Sequence, residues 1–473
     1  MKKQAKQLGL WLLVFVSIGS MIGSGIFNSP KDLIHVANPR GTMLAWIAGG
    51  FGALMLALVF VYLSGKRSQL KSGIFAYAKD GFGDYMGFNS AWGYWSVGWL
   101  GNISYLALFF KTLNDLLGKE HALSPMAGFL IGSAILWFFY FVLLSGVREG
   151  AILNFAVTIA KLVPIVLIIL LGFSLVQPDI FNVADWQTKL ASTDEATTPL
   201  LQIKDAMAVV LWCFVGIEAS SVLSGRAKSQ QTVRKATVIS VLTVLAIYML
   251  ITFISMASVS ATELAASDTP LALVLGKTMI GAAGSVIVQV GIMISVLGAS
   301  LSWILLSVET LYAAARDGVA PRLFAKVNKK DTPVNALLLT QIFTQIFLLA
   351  ILSSALNDLY LAAITIATTL VLIPYLLSSL YAMKISFTDK KGDTFGKIIA
   401  IIGTIYATYV IYAVGLKYLY LSILFYAIGA FVFLKAKHEK KEKPKRWEWA
   451  FILALTASAI SVVIFILNGT IEL

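Results

Sequence analysis

Cysteine is almost absent from this chain. The single residue, Cys213, excludes an intrachain disulfide and any cysteine-based metal cage. Histidine is nearly as scarce: His35, His121 and His438 fall in or near loops, which argues against a buried histidine relay and leaves no metal site to expect. Charge is thin as well. Only 13% of the 473 residues are Asp, Glu, Lys or Arg, while 58% are hydrophobic. A soluble domain carries roughly 25% charged residues. With a mean hydropathy of +0.84, the composition is that of a polytopic membrane protein. No cleavable signal is expected, because the first apolar run lacks a small-residue cleavage site and continues past its glycines into more helix.

What the chain has instead is long apolar runs. Thirteen segments near 20 residues or more are expected to span a bilayer as helices, at about 8–35, 41–64, 84–110, 126–146, 151–176, 202–225, 232–258, 281–314, 333–355, 358–384, 394–416, 418–435 and 447–468. The net charge of +13 does not point to nucleic acid, because of where it sits. With the N-terminus in the cytoplasm, 28 of the 37 lysines and arginines fall in cytoplasmic segments and eight on the outer side. That is the positive-inside bias. The run Lys435 to Arg446 is the densest basic patch and reads as a stop-transfer and anionic-lipid anchor. The largest outer loop, about 177–201 with Asp179, Asp185, Asp194 and Glu195, reads as a polar connector.

One stretch of the first run is badly suited to a helix. Ser17-Ile-Gly-Ser-Met-Ile-Gly-Ser-Gly-Ile-Phe-Asn-Ser-Pro30 gathers Gly19, Gly23 and Gly25 with Ser20 and Ser24. Each interior Gly costs about 1 kcal/mol relative to Ala. Unwound backbone at membrane depth is tolerated where it lines a cavity or is buried in protein, so a break at Gly23-Ser24-Gly25 is expected. Span 6 repeats the pattern in Leu211-Trp-Cys-Phe-Val-Gly-Ile-Glu-Ala-Ser-Ser221. Spans 1 and 6 begin two five-helix blocks of opposite topology, residues 1–176 and 202–384, with 385–473 as accessory spans 11 to 13. Matching interruptions in inverted halves point to a transporter site. The alternative is that the glycines only let helices pack closely.

A broken helix offers amide N–H groups at the start of its second half, where the dipole carries about half a positive charge, and carbonyls at the end of its first. Gly25 N–H and the Ser24 hydroxyl suit a carboxylate. The carbonyl ends near Met21 and near Trp212 or Val215 suit an ammonium group. Together they read the backbone of an amino acid. Trp212, Trp303, Tyr94 and Phe214 are candidates for an aromatic cage around an organic cation. Three ionisable residues lie inside spans and default to function. Lys161 either takes the place a coupling Na⁺ would fill, so that losing its proton loosens helices 1 and 5, or is a structural pin. Glu218 is a gate, a proton-sensitive latch or a strut. Glu309 suits a strut or inner-gate ion pair better than a ligand. Asn102 is a substrate contact or an interhelical hydrogen bond.

Gly19-Ser-Met-Ile-Gly-Ser-Gly-Ile-Phe27 resembles the first-helix signature of the amino acid–polyamine–organocation superfamily. Gly83 to Trp95 with Trp99-Leu-Gly-Asn102, Leu211 to Ala227, and Ser302 to Leu306 through Ala313 to Asp317 resemble its basic amino acid/polyamine antiporter branch, over nearly the whole chain. The resemblance implies an all-α integral membrane protein with the inverted five-helix repeat and discontinuous helices 1 and 6. It also implies roles. Ser24 and Gly25 hold the carboxylate; Met21, Trp212 and Val215 offer carbonyls to the α-amino group; Trp303 and Asn102 meet the side chain. Tyr94, Trp212, Glu218 and Tyr375 form gates, and Lys161 matches the helix 5 lysine of proton-linked or sodium-free relatives. The helix 10 position that is a serine ligand in arginine/agmatine exchangers aligns with Ala367, beside Thr368 and Thr369. Val97 and Gly98 line the path on helix 3, so the distal pocket is reshaped.

The expected function is antiport in a bacterial plasma membrane, arginine inward for ornithine outward. An amino acid/amine pair such as histidine/histamine, tyrosine/tyramine or agmatine/putrescine is the alternative. Expected partners are amino acids, amines and membrane lipids, with a homodimer as an option and no nucleic acid or cofactor. An ion channel would need a symmetric polar filter, and none is visible. An intramembrane enzyme would need a nucleophile–base or metal cluster, and the acids are dispersed.

Overall fold

The computed structural model describes residues 7–181, 198–267, 269–352, 354–389 and 393–469. The calls on Lys2, Lys3, Lys6, Asp185, Lys189, Asp194, Glu195, Lys390 and Lys391 lie outside these residues. Named elements among the described residues are all helical. The first run is two helices, α1 (Leu10–Met21) and α2 (Ser24–Val36). Next come α3 (Pro39–Lys66), α4 (Ile74–Phe82), α5 (Asp84–Leu117), α6 (Pro125–Leu144), α7 (Val147–Gly172) and the short α8 (Pro178–Phe181). The second interrupted segment is α9 (Pro199–Phe214) and α10 (Ala219–Val222), followed by α11 (Gln230–Ser258), α12 (Ala261–Ala266) and α13 (Pro270–Gly276). The rest is α14 (Gly281–Arg316), α15 (Val334–Leu348), α16 (Ser354–Thr388), α17 (Thr394–Val414), α18 (Leu416–Glu439) and α19 (Arg446–Leu467).

The starts of these helices are written locally. Asn38, Ser124 and Thr198 each stand before a proline and accept a hydrogen bond from the first turn of α3, α6 and α9. Proline at the first helical position lacks an N–H that would be unsatisfied there in any case. Gly118 and Gly415 follow the ends of α5 and α17 at positive φ.

Eleven helical segments among the described residues are long and apolar enough to cross a membrane. Two of the thirteen expected spans fall outside that set for physical reasons. α5 is 34 residues long but carries Asn, Ser and Gly among its aromatics, and it is buried by protein instead of lipid. α15 is only 15 residues long. Its apolar run continues as a single 3₁₀ stretch, Leu349–Leu352. The region between α11 and α14 contains two short helices, α12 and α13.

α5 and α14 form the central pair. Gly98 on α5 lies where a Cβ would come within 2.3 Å of Ser307 on α14, so the helices approach more closely than any larger residue allows. On its other side α14 meets α7, with Gly291 against Pro164 and Gly298 against Val157. Small residues at helix crossings are how membrane helices gain contact without a hydrophobic driving force between them.

The segments assigned to the basic side do meet one another. Leu8 pairs with the backbone of Arg226 and Lys228. Lys66 pairs with Asp389, Lys79 with Asp317, and Arg226 with Asp331. Thr332 and Asn328 bond the last carbonyls of α6. The basic run Lys435 to Arg446, which begins inside α18, also makes contacts within the protein. Lys437 is buried and pairs with Asp84 at 2.7 Å and Glu442 at 2.9 Å. Glu439 accepts from the Arg322 backbone at 2.8 Å. The end of α18 is therefore tied to the starts of α5 and of the 3₁₀ turn after α14. Lys437→Ala is expected to cost about 1–3 kcal/mol, because it leaves a half-buried carboxylate without its partner. The check is a fall in the thermal midpoint of the detergent-solubilised protein, with Lys443→Ala, outside the cluster, as the unshifted control.

Candidate functional site

The first helix ends one residue earlier than its glycine pattern suggests. α1 stops at Met21, Gly23 is bent out of helical geometry, and Ser24 already opens α2. Ser24 and Gly25 are thus the first residues of the second half, where N–H groups lack intrahelical partners. Gly25 is closely covered: a Cβ would lie 3.3 Å from the Cys213 sulfur and the Tyr248 oxygen and 3.4 Å from Trp212.

The carbonyl end of α1 is crowded with donors. Lys161 Nζ donates to Gly19 O at 2.9 Å and also to Ile22 O. Trp303 Nε1 donates to Ser20 O at 3.2 Å, Tyr248 donates to Met21 O at 3.2 Å, and Ser295 donates to Ile22 O at 3.3 Å. A helix end inside a membrane has no water to satisfy its last carbonyls, so protein donors must. Lys161 is fully buried. Its ammonium replaces hydration with orphaned carbonyls, which lowers the cost of burying a charge. Met21 O accepts from both the Tyr248 hydroxyl at 3.2 Å and the Gly23 N–H at 3.1 Å, which occupies both of its lone pairs.

The second interruption runs from Val215 to Glu218. Val215 is extended, and Gly216 has φ of +114°, a conformation L side chains rarely adopt. Its amide donates to the Tyr375 hydroxyl at 3.3 Å, and its carbonyl accepts from Ser20 at 3.3 Å. The hydroxyls of Ser17 and Ser220 share a bond of 2.7 Å. The two broken helices thus touch at their breaks. A Cβ on Gly216 would lie 2.6 Å from Ser20 Oγ.

Five expected site residues come together here. Met21, Ser24, Gly25, Trp212 and Val215 line one small cavity with Ser20, Gly23 and Tyr105. Its volume is about 10 Å³, room for a single water molecule. Above it, Tyr94 donates to Glu218 at 2.5 Å and Tyr375 donates to the other carboxylate oxygen. All three are buried. The Tyr94 ring lies 5.6 Å from Trp303. Three of the expected gate residues, Tyr94, Glu218 and Tyr375, therefore form one hydrogen-bonded group spanning α5, the second break and α16.

Other expected residues lie apart. Phe214 is not part of an aromatic cage with Trp303; it packs on Trp46 and Tyr248, with centroids at 6.1 and 6.4 Å. Asn102 is buried one turn past Gly98, whose carbonyl its Nδ2 reaches at 2.6 Å, and its Oδ1 has no partner. Thr368 is partly buried on α16, and it is not among the residues lining the cavity. Glu309 belongs to the basic face, where both oxygens meet Arg226 at 2.9 and 3.0 Å. Sequence reading missed Tyr105 and Tyr248, which wall the break from α5 and α11. A tyrosine deep in an apolar run is a usable signal, since a buried hydroxyl needs a partner. Gly216→Ala is expected to cost about 1–3 kcal/mol through overpacking and strain. It should lower the thermal midpoint and abolish transport in proteoliposomes, whereas Gly128→Ala, where a Cβ meets only Phe110 at 3.8 Å, should change little.

The chain was compared with known proteins. The family model for amino acid permeases matches residues 8–416, up to the start of α18. The arginine/ornithine antiporter of Pseudomonas aeruginosa is 39% identical over 455 residues, covering 93% of this chain and 92% of the relative. The arginine/ornithine antiporter of Latilactobacillus sakei is 33% identical over 462 residues, covering 96% of each.

Proposed function

The chain belongs to the amino acid permease family, and from that premise we propose that it exchanges external arginine for internal ornithine by alternating access. The observation that carries this reading is the meeting of two helix interruptions around one cavity, with an N–H end and two carbonyl ends presented to it. An α-amino acid carries complementary groups at that spacing. The names of the two relatives support a cationic pair over an amino acid/amine pair.

In this reading Ser24 and Gly25 receive the carboxylate, and the carbonyls of Met21, Trp212 and Val215 receive the ammonium, which at Met21 takes the place of a donor already bound there. Trp303, Asn102 and Thr368 meet the side chain. Arginine and ornithine share the α-amino acid head and differ beyond it, so one head site serves both strokes. Both carry one net positive charge, so each cycle is electroneutral. The cavity of about 10 Å³ is far too small for either. Loading therefore requires the second break to move, and the hydrogen bonds from Tyr94 and Tyr375 to Glu218 are the contacts that would release it. Lys161 holds α1 still while that happens.

The protein is a multi-pass membrane protein. We place the basic face in the cytoplasm of a bacterial cell by the positive-inside rule. Residues 1–176 and 202–384 form the inverted halves, and 385–473 is an accessory unit. Small amino acids are the partners that matter.

Counterflow in proteoliposomes tests the exchange. Labelled arginine should enter vesicles loaded with ornithine or arginine and not empty ones; equal uptake into empty vesicles would rule out obligate exchange. Trp303→Leu should weaken cationic cargo by about 0.5–2 kcal/mol, seen as a raised KM for arginine, and an unchanged KM would remove Trp303 from the site. Lys161→Gln exchanges an ammonium for an amide at two carbonyls. It should flatten the pH dependence of exchange, and an identical pH profile would leave Lys161 a pin alone.

A further inference from the structure

The basic face holds a second cavity, much larger than the first, at about 250 Å³. Arg226, Glu309, Tyr312, Arg316 and Asp331 line it, and Ser72 and Gly225 close its floor. None of these belongs to the breaks described above. The space is enough for a whole dibasic amino acid, while the cavity at the breaks admits one water.

The chemistry at its wall is specific. Glu309 is nearly buried, with a side chain 8% exposed, and both its oxygens are taken by the Arg226 guanidinium in a fork at 2.9 and 3.0 Å. The same guanidinium reaches the Asp331 carboxylate, and its Nη2 donates to Asp331 O at 3.1 Å. Its plane also lies over Tyr312, with Cζ 5.6 Å from the ring centroid. Two carboxylates, a carbonyl and an aromatic face surround one guanidinium. That is a complete recognition set for this group: bidentate acceptors fix its plane, and the ring supplies cation–π contact. The side chain that fills it is the protein's own, on the segment just after α10, at the end of the second interrupted helix.

We propose that Glu309, Asp331 and Tyr312 form a second binding station for a guanidinium or ammonium side chain at the basic mouth, and that Arg226 is its resident occupant, displaced by cargo. The proposal rests on the cationic-cargo reading above. Displacement costs no net charge, since one cation replaces another on the same carboxylates. It also frees the end of the second interrupted helix from α14 and the loop before α15. Cargo with a cationic side chain thus unlocks the segment that must move, and a neutral amino acid cannot. Specificity would then be checked at the mouth as well as at the breaks.

Equilibrium binding of labelled arginine to the detergent-solubilised full-length protein tests this. The wild type should bind one arginine per chain tightly and a second only at much higher concentration, because Arg226 competes for the station. Arg226→Ala should turn that second site into a tight, saturable one, and Arg226→Ala with Glu309→Gln should remove it again. A stoichiometry of one in Arg226→Ala would overturn the proposal. If that variant does not yield folded protein, Glu309→Gln alone decides. In inside-out vesicles it should raise the KM for arginine about tenfold and leave that for any neutral amino acid carried unchanged. Equal shifts for both cargoes, or no shift, would mean a structural lock only. Failure of the wild type to bind or exchange arginine at all would instead sink the parent reading, and the station with it.

Discussion

An interrupted helix in a membrane leaves backbone carbonyls with nothing to bond, and the rest of this structure answers that deficit at α1. Four residues from three other helices converge on its last turn: Lys161 from α7, Tyr248 from α11, and Ser295 and Trp303 from α14. Each donor satisfies an acceptor that lipid could not. The same contacts fix the helices that supply them around the break, so the polar repair of one helix end also arranges the walls of the site. Lys161 is central because it spans two carbonyls and brings charge without a carboxylate at its Nζ. The same two contacts join α7 to the end of α1.

The second break is repaired differently. Gly216 turns the chain at positive φ, and Tyr375 and Ser20 take up its backbone groups. Glu218 is then held by two tyrosine hydroxyls instead of by a cation. The first break is thus nailed by a lysine and the second latched by neutral groups. Hydrogen bonds to neutral hydroxyls exchange at lower cost than a buried ammonium can be stripped of its acceptors. This asymmetry sets the second interrupted helix apart from the first. Its far end is also the place where Arg226 ties it to Glu309 and Asp331.

Charge organises the opposite requirement, an anchored base. Lys437 links α18 to Asp84 at the start of α5, Lys440 just past α18 donates to Asp317 O after α14 at 3.5 Å, and Lys79 links α4 to the same Asp317. The family match ends where α18 begins, yet α18 is integrated with the central pair through these contacts. α18 therefore braces α5 and α14 at this end.

Much of this was legible in the chain itself. Long apolar runs with few charges must be membrane helices, and their edges are marked by Asn38-Pro39, Ser124-Pro125 and Thr198-Pro199. The glycine and serine clusters at Gly23 and Gly216 announce breaks because helix propensity is a local property. A lone lysine or glutamate in an apolar run is also visible, since its burial cost does not depend on the partner. Partners are another matter. That Lys161 reaches Gly19, that Phe214 leaves Trp303 for Trp46, and that Lys437 turns inward to Asp84 depend on side chains hundreds of residues apart meeting at a crossing angle. Tyr105 and Tyr248 look like any core aromatic until their hydroxyls are placed. The sequence by itself determined where the backbone must break and which groups could not be left unpaired. Only the tertiary structure decided what pairs with them, because hydrogen bonds are satisfied in space and carry no trace in sequence separation.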